Sequence, residues 1–504
     1  FLVDVLANDR AQAACVNYLN RITTDTAKHG QQIVEGQVQG GLFDLPAGQM
    51  RFAAGAGYRR VTYDYVPSAE RRFGTLLGFP TPINPATGAY SVREGFLELF
   101  IPVVRDLPLI HELNIDVAGR LSDYTTVGTV KTYKASADWS VVPGLRVRAS
   151  YQRAIRAPSL GELYTPDEES ASAVGTVASG GGAPCDATSR FRAPSNPDAA
   201  RVRALCLAQG VPEGVIDLLR LAGSSVPTTI SGNPNLQEET ADTYTAGIVW
   251  QSRFDHPLLR RLSASIDYYD ISVEGAIGTI TASVGLQRCF NGDGVSNPTY
   301  DVNNFFCRQT TRGVNGTIIN QRQPALNLGA YKTNGIDFQA DWAFDLADIG
   351  LGDAGSLSFN FVVAYLRDFK IQNLPGAPFL DYAGTIGNAQ IDVGTISFPK
   401  WKVNLNTTYT YGRASLTASY RWVDKMTNSA NVAITTGALQ PGVTDRSYLD
   451  LLGRFRLNEK TEFRAGVLNV FDKAPPVWTG EGATDTALYD ILQRRFFVGV
   501  NRRF

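Results

Sequence analysis

Apolar and polar residues alternate along most of this chain with a period of two. Between Val127 and Val142, Tyr133, Ala135, Ala137, Trp139 and Val141 share one face of an extended backbone, and Lys134, Ser136, Asp138 and Ser140 share the other. The next stretch, Leu145–Arg156, sets Leu145, Val147, Ala149 and Tyr151 against Arg146, Arg148, Ser150 and Gln152. The same division recurs through Ile336–Phe344, Leu357–Tyr365, Trp401–Tyr409 and Leu416–Trp422. The final stretch, Tyr489–Phe504, sets Phe496, Val498 and Val500 against Arg495, Phe497, Gly499, Asn501 and Arg503. A period of two belongs to strands, and the division into one apolar and one polar or small face means that the two sides of the sheet meet different surroundings. About fifteen such stretches of roughly 10–16 residues follow one another from Gln31–Phe43 onward, against the ~5–6 residues usual in soluble sheets.

The connections alternate as well. Tight turns at Asp44–Gln49, Asp106–Pro108, Pro143-Gly144, Asp255–Leu258, Gly412-Arg413 and Glu459-Lys460 are separated by polar segments near 67–92, 157–236, 275–328, 370–397, 425–446 and 473–488. Thr125-Thr126 is a short connection on the long-loop side. One end of the sheet therefore carries turns and the other carries large loops, and the apolar faces end repeatedly in Tyr, Trp or Phe. These habits point to an all-β fold, a transmembrane antiparallel β-barrel with short periplasmic turns, long external loops and aromatic residues at both interfaces. A sandwich or propeller would have shorter strands and more even loops. Residues 1–29 read as an external loop segment and 30–504 as the barrel. Small helices are expected within the loops, one of them near Asp198–Leu221. Counting strand directions back from the C-terminal strand leaves an odd number, so a complete barrel is expected to need more strands than this chain supplies.

Composition fits one large β object better than the several domains that 504 residues would otherwise suggest. The chain holds Gly 48, Tyr 21 and Phe 25 but only 2 Met, residues that suit turns and strands. A net charge of −1 offers no basic excess for nucleic acid. No apolar run approaches the ~18 residues of a membrane helix. That excludes a helical membrane protein and says nothing against strands that alternate. FLVDVLANDR lacks the basic head and apolar centre of a signal peptide. Of 5 Cys, Cys185 with Cys206 and Cys289 with Cys307 form two local pairs in loop-like sequence, the pattern of disulfides in an oxidising compartment. Each would close a loop of about 20 residues, worth roughly 3 kcal/mol in the chain-entropy picture. Cys15 is left over, and its partner is expected upstream.

Three segments, in order, resemble the TonB-dependent outer-membrane receptors. SYQRAIRAPSLGELY (Ser150–Tyr164) is similar to the family's "FRAPS…ELY" segment. GNPNLQEETADTYTAGIVWQ (Gly232–Gln251) is similar to its "GNPNLKPE" loop and the strand that follows. GVLNVFDKAPP (Gly466–Pro476), with the terminal YDILQRRFFVGVNRRF, is similar to its "NLFDK" and last-strand signature. Val470 stands where Leu is usual, and Arg502 replaces the commoner aromatic residue two before the end. The resemblance runs from about Leu42 to Phe504. It implies a barrel of twenty-two strands, of which about fifteen are here, with a plug and Ton box that lie outside this chain. It also implies TonB-dependent uptake of a scarce ligand, such as a siderophore, vitamin or oligosaccharide, across the outer membrane of a Gram-negative bacterium. Outer-membrane lipid would surround the barrel, and the TonB–ExbB–ExbD complex would act through the plug. The strand pattern alone also suits a passive porin-type channel. A passive pore needs an open constriction, however, and two loops here run to about 50–80 residues, more than a connection requires.

Arg153 and Arg156 end a long strand, and Glu238, Glu239 and Asp242 open the strand after the GNPNL loop, so structural ion pairing is expected between them. Candidate ligand contacts are the loop aromatics Tyr164, Phe191, Phe290, Phe305 and Phe306, whose rings could stack on a catechol or a sugar; packing within the loops competes with that use. Deleting Phe191–Leu221 is expected to abolish uptake and leave the barrel assembled. No catalytic constellation emerges. His29, His111 and His256 are far apart and do not make a metal site. Asp293, Asn297 and Asp301 lack the Glu that closes an EF-hand loop, and Asp167, Glu168 and Glu169 read as a solvated acidic loop. There is no G-x-S-x-G, P-loop or CxxC. Neither enzyme activity, cofactor, metal nor nucleic acid is expected.

Overall fold

The computed structural model describes residues 22–76, 82–175, 182–221, 223–372, 374–387, 397–433, 441–478 and 484–503. Fifteen long strands follow one another as antiparallel neighbours. They are β1 (Thr26–Leu45), β2 (Gly48–Val66), β3 (Ala86–Leu107), β4 (Ile110–Tyr124), β5 (Gly128–Val142), β6 (Leu145–Arg156), β7 (Glu239–Gln251), β8 (Leu262–Thr279), β9 (Ile318–Asp345), β10 (Ser356–Gln372), β11 (Trp401–Tyr411), β12 (Ala414–Val423), β13 (Arg446–Asn458), β14 (Thr461–Leu468) and β15 (Arg495–Arg502). The expected all-β architecture and its count of about fifteen strands are therefore observed. Among the described residues no pairing joins β15 to β1, so the sheet is curved but open.

Of the seven connections at one end, five are two-residue turns, such as Pro46-Ala47, Pro143-Gly144 and Gly412-Arg413, and two are ten-residue segments, 252–261 and 346–355. The other end carries every long segment, with 125–127 as its one short connection. Asp106 and Leu109 flank the β3–β4 turn at φ 58° and 62°, and Gly144 at φ 92° closes the β5–β6 turn where a Cβ would meet the Gln251 carbonyl at 2.5 Å.

Several expected boundaries move. Residues Thr26–His29 belong to β1, because they pair with Tyr63–Val66; residues 1–21, with Cys15, lie outside the described residues. The β8 strand continues to Thr279 and β9 starts at Ile318, inside the segment expected to be loop. Their outer ends find partners there: Ser225–Ser231 runs parallel to β9, Glu168–Ala173 pairs with Ser225–Ser231, and Thr310–Arg312 folds back on β9. The helix expected over Asp198–Leu221 spans only Ala199–Ala208, because Gly210 turns left-handed (φ 95°) and Pro212 follows. The last strand is Arg495–Arg502 rather than Tyr489–Phe504. Gln493 sits at φ 57°, Tyr489 is buried against Tyr448 and Trp478 in the loop before it, and Phe504 lies outside the described residues.

The two faces divide as the alternation requires. Exposed apolar side chains such as Val38, Leu121, Ile248, Ile266, Phe463, Phe496 and Val498 share the outer face. The inner face is polar and paired: Lys134 Nζ lies 2.8 Å from Glu98 and 2.9 Å from Asp116, Arg120 pairs with Glu94 at 3.0 Å, and Arg148 grips Asp267 with two hydrogen bonds. Two aromatic belts bound the outer face. Near the turns, Trp139 and Trp342 donate their indole N–H to the carbonyls of Leu109 (2.9 Å) and Leu258 (2.7 Å), and the Tyr409 hydroxyl donates to Ala354 (2.6 Å). Near the loops, Tyr151 stacks on Tyr244 and Tyr365 packs at a tilt against Trp401, with ring centres 4.7 and 4.3 Å apart. Rings with one polar end suit the level where hydrocarbon meets water.

Candidate ligand-capture site at the external loops

The outer rim is built from two of the quoted segments docked on each other. Ser159 caps the one-turn helix Leu160–Tyr164: its hydroxyl accepts the Glu162 amide N–H (3.2 Å) and its own N–H donates to the Glu162 carboxylate (2.7 Å), a complete capping box. Arg156 donates to both Glu162 and Glu239. Burial alone would raise the Glu162 carboxyl, but the Arg156 guanidinium and the hydrogen bonds from Ser159 together outweigh it and hold the group below its usual range. Across from it, the Gly232 N–H donates to Thr165 O (2.9 Å), Asn233 N–H to Glu162 O (2.8 Å) and the Asn233 side chain to Ala325 O (3.0 Å). Leu163 and Leu236 are buried together with Ile277 and Ala325. Three residues farther down the same two strands, on the outer face, Arg153 pairs with Asp242 at 2.6 Å and the Tyr151 hydroxyl donates to the same carboxylate. Both arginines thus serve structural pairs.

Above this rim the two longest loops fold into a single body. Cys185–Cys206 and Cys289–Cys307 are both bonded, at 2.07 and 2.09 Å, and all four cysteines lie in one core with Phe191, Val202, Leu205, Val211, Ile216 and Phe290. Segments 183–221 and 282–317 therefore share their hydrophobic interior. Asn297, almost fully buried, holds one turn by donating to Cys289 O (2.7 Å) and accepting from the Asp301 N–H (2.9 Å). Asp293 is occupied by Val295, Ser296 and the Arg288 guanidinium. The Asp293–Asn297–Asp301 run thus builds turns with its own oxygens.

Between the loops lies a cavity of about 160 Å³, lined by Asp186, Leu219, Arg220, Val226, Arg312 and Ile318. Arg312 is part-covered at its surface, but its guanidinium is enclosed among neutral acceptors, the Gln209 side-chain oxygen (3.0 Å), Gly316 O (2.9 Å) and Cys185 Sγ (3.1 Å). Desolvation pulls it down to about 10. Asp186 is buried, which alone would raise its carboxyl. The Thr188 hydroxyl and amide and the Leu221 amide, at 2.6, 2.8 and 2.7 Å, reverse the sign and lower it.

The structure places the five candidate aromatics differently. Phe191 and Phe290 lie in the shared core, and Tyr164 packs over Gly88, where a Cβ would meet its ring at 2.2 Å. Phe306 is half-buried below Arg288. Phe305 stands at the surface, edge-on to Phe306 with ring centres 5.4 Å apart. The cavity lining of Asp186, Arg220 and Arg312 escaped the sequence reading, because nothing local distinguishes a loop arginine that will be enclosed. At the turn end of the inner wall, a recess of about 440 Å³ is lined by Arg261, Ser263, Asp341, Asn360 and Asn406.

The family described as TonB dependent receptor-like, beta-barrel matches residues 6–470. No curated protein matches the chain. Among solved structures, the ferric enterobactin receptor of Pseudomonas aeruginosa, in complex with enterobactin, shares the fold at a TM-score of 0.60 and 16% identity, covering 95% of this chain and 55% of that one. The siderophore receptor PirA from Acinetobacter baumannii aligns at a TM-score of 0.58 and 11% identity, covering 96% of this chain and 56% of its own. The FpvAI–pyocin S2 complex aligns at 0.51 and 13%, covering 95% and 50%. The chain thus spans about half the length of the structures it resembles. With fifteen consecutive antiparallel strands, loops at one end and turns at the other, and a family match over most of its length, the chain belongs to the TonB-dependent receptor-like β-barrels.

Proposed function

We propose that this chain is the barrel part of a receptor that captures a scarce ligand at its external loops. The ligand enters the lumen when a plug, carried outside these residues, is displaced through the TonB–ExbB–ExbD complex of a Gram-negative cell. The observation that supports this reading best is the loop body. Two loops pinned by disulfides around one core are an ordered recognition surface, larger than connections require. Its exposed Phe305 and the polar cavity at Asp186, Arg220 and Arg312 are the contacts offered to a ligand with aromatic or charged groups. The solved neighbours described as siderophore receptors make a ferric siderophore the first ligand to assay, ahead of a vitamin or an oligosaccharide. A porin-type channel has no use for such a body, and the family match favours the receptor.

The test is uptake by the full-length receptor in cells with and without TonB. Removing 183–221 together with 282–317 is expected to abolish uptake while the barrel still migrates as a folded band before boiling. Both segments must go, because removing one strips the core of the other. Phe305→Ala is expected to weaken ligand binding roughly threefold to tenfold, the size of one lost stacking contact. Uptake that persists without TonB and does not saturate would establish the passive channel instead.

A further inference from the structure

The outer face of β1–β5 carries a feature that uptake does not use. The registers of these strands put Gly36, Ala56, Gly95, Leu121 and Lys131 in one row across the sheet. Gly95 and Gly119 lack side chains on a face that is otherwise apolar, and an added Cβ at Gly119 would meet nothing within 4 Å. The result is a trough of about 690 Å³ rimmed by Leu97, Leu121, Tyr133 and, at the loop-side end, Lys131. Leu97, Leu121 and Tyr133 are all exposed there, at 48%, 56% and 43%.

Three cations stand on this same face at the loop-side border of the trough. Lys131 ends the row, Arg93 lies two residues beyond Gly95 on β3, and Arg60 is its diagonal neighbour on β2. Among the described residues none of the three makes an ion pair. Asp123, directly opposite Arg93, accepts the Thr129 hydroxyl instead (3.0 Å). Asp64, farther out on β2, faces Lys28 across the strands. The inner-face cations of the same region, Arg120 and Lys134, are both paired, as is Arg148 of β6. Unpaired cations on an apolar wall at the interfacial level call for an anionic partner supplied by the surroundings.

We propose that this face docks a phosphorylated, acylated lipid of the outer leaflet. Its phosphates sit on Arg60, Arg93 and Lys131, and one acyl chain lies along the Gly95–Gly119 trough. Cations arrayed above a hydrocarbon groove match the charge and shape of such a lipid end to end. A protein partner would find too few polar groups in the trough to satisfy its backbone. The proposal rests on the reading of the chain as an outer-membrane barrel.

The experiment is native mass spectrometry of the full-length receptor in detergent, titrated with bis-phosphorylated lipid A and with the same lipid stripped of both phosphates. The wild type is expected to bind the phosphorylated form at least tenfold more tightly. Arg60→Gln/Arg93→Gln/Lys131→Gln is expected to lose that preference and to keep the folded-band migration and ligand uptake. Gly95→Leu, which fills the trough, is expected to weaken both lipids. Equal binding of the two lipids by the wild type, or an unchanged preference in the triple variant, overturns the lipid site and leaves the receptor reading intact. A receptor absent from the outer membrane overturns both.

Discussion

At Gly232 an added Cβ would come within 2.8 Å of the Leu163 carbonyl and the Thr165 nitrogen, both backbone atoms that cannot step aside. Gly232→Ala is therefore expected to cost about 1–3 kcal/mol, read as a lower unfolding midpoint of the folded barrel. Asn469 poses a different demand. It leaves β14 at φ 53°, fully buried, and its side chain donates to Lys473 O (2.9 Å) and accepts the Lys473 N–H (2.8 Å). Asn469→Ala loses both bonds and strains the backbone, whereas Asn469→Gly keeps the turn. The alanine variant is expected to lose about 1–3 kcal/mol and the glycine variant less, a ranking that denaturant titration measures. These letters were legible as motifs, since GNPNL and NVFDK stand out in the sequence. Their work was not, because it is done against residues more than 60 positions away in one case and by an unusual φ in the other. The pairing of Arg153 and Arg156 with strand-opening carboxylates was legible in kind; the Glu162 half of the Arg156 pair depends on a capping box that only the fold completes.

Among the elements, the strands were easy to read and their outer ends were not. Alternation persists through the lipid-facing span, where one side must be apolar, and fades where β8 and β9 rise into the loops and find short partner strands there. The two long loops share a core, and sequence spacing does not reveal it, because it shows each cysteine pair but not that the pairs meet. Replacing Cys185 and Cys206 by Ser, a bridge spanning 21 positions, should cost about 3 kcal/mol of loop stability. Limited proteolysis should then show new cuts in 282–317 as well as in 183–221. Asp186 adds a pH dependence of known sign. Its folded value lies below the ordinary 3.8, so its stabilisation is fully present above that pH and is lost as pH falls through the lowered value. Protease resistance of the loop body should therefore drop in strongly acidic buffer. Asp186→Asn should lack most of that drop and start about 1–3 kcal/mol lower at neutral pH.

For the molecule as a whole, the division into a lipid side and a lumen side is the property that sequence reading recovers best, since a single slip of register would invert every face at once. Val498→Arg, at the middle of β15 on the outer face, is expected to cost about 2–4 kcal/mol of folding free energy in lipid vesicles. The inward Asn501→Ser is expected to stay within about 0.5 kcal/mol. Fusion of the two great loops also bears on how anything enters. Segments that share an interior are expected to move as one body rather than to part like a pair of doors, which paired spin labels on 183–221 and 282–317 would check. Reduction of the two bridges, each internal to its own segment, is expected to loosen both halves of that body together, because they share one core.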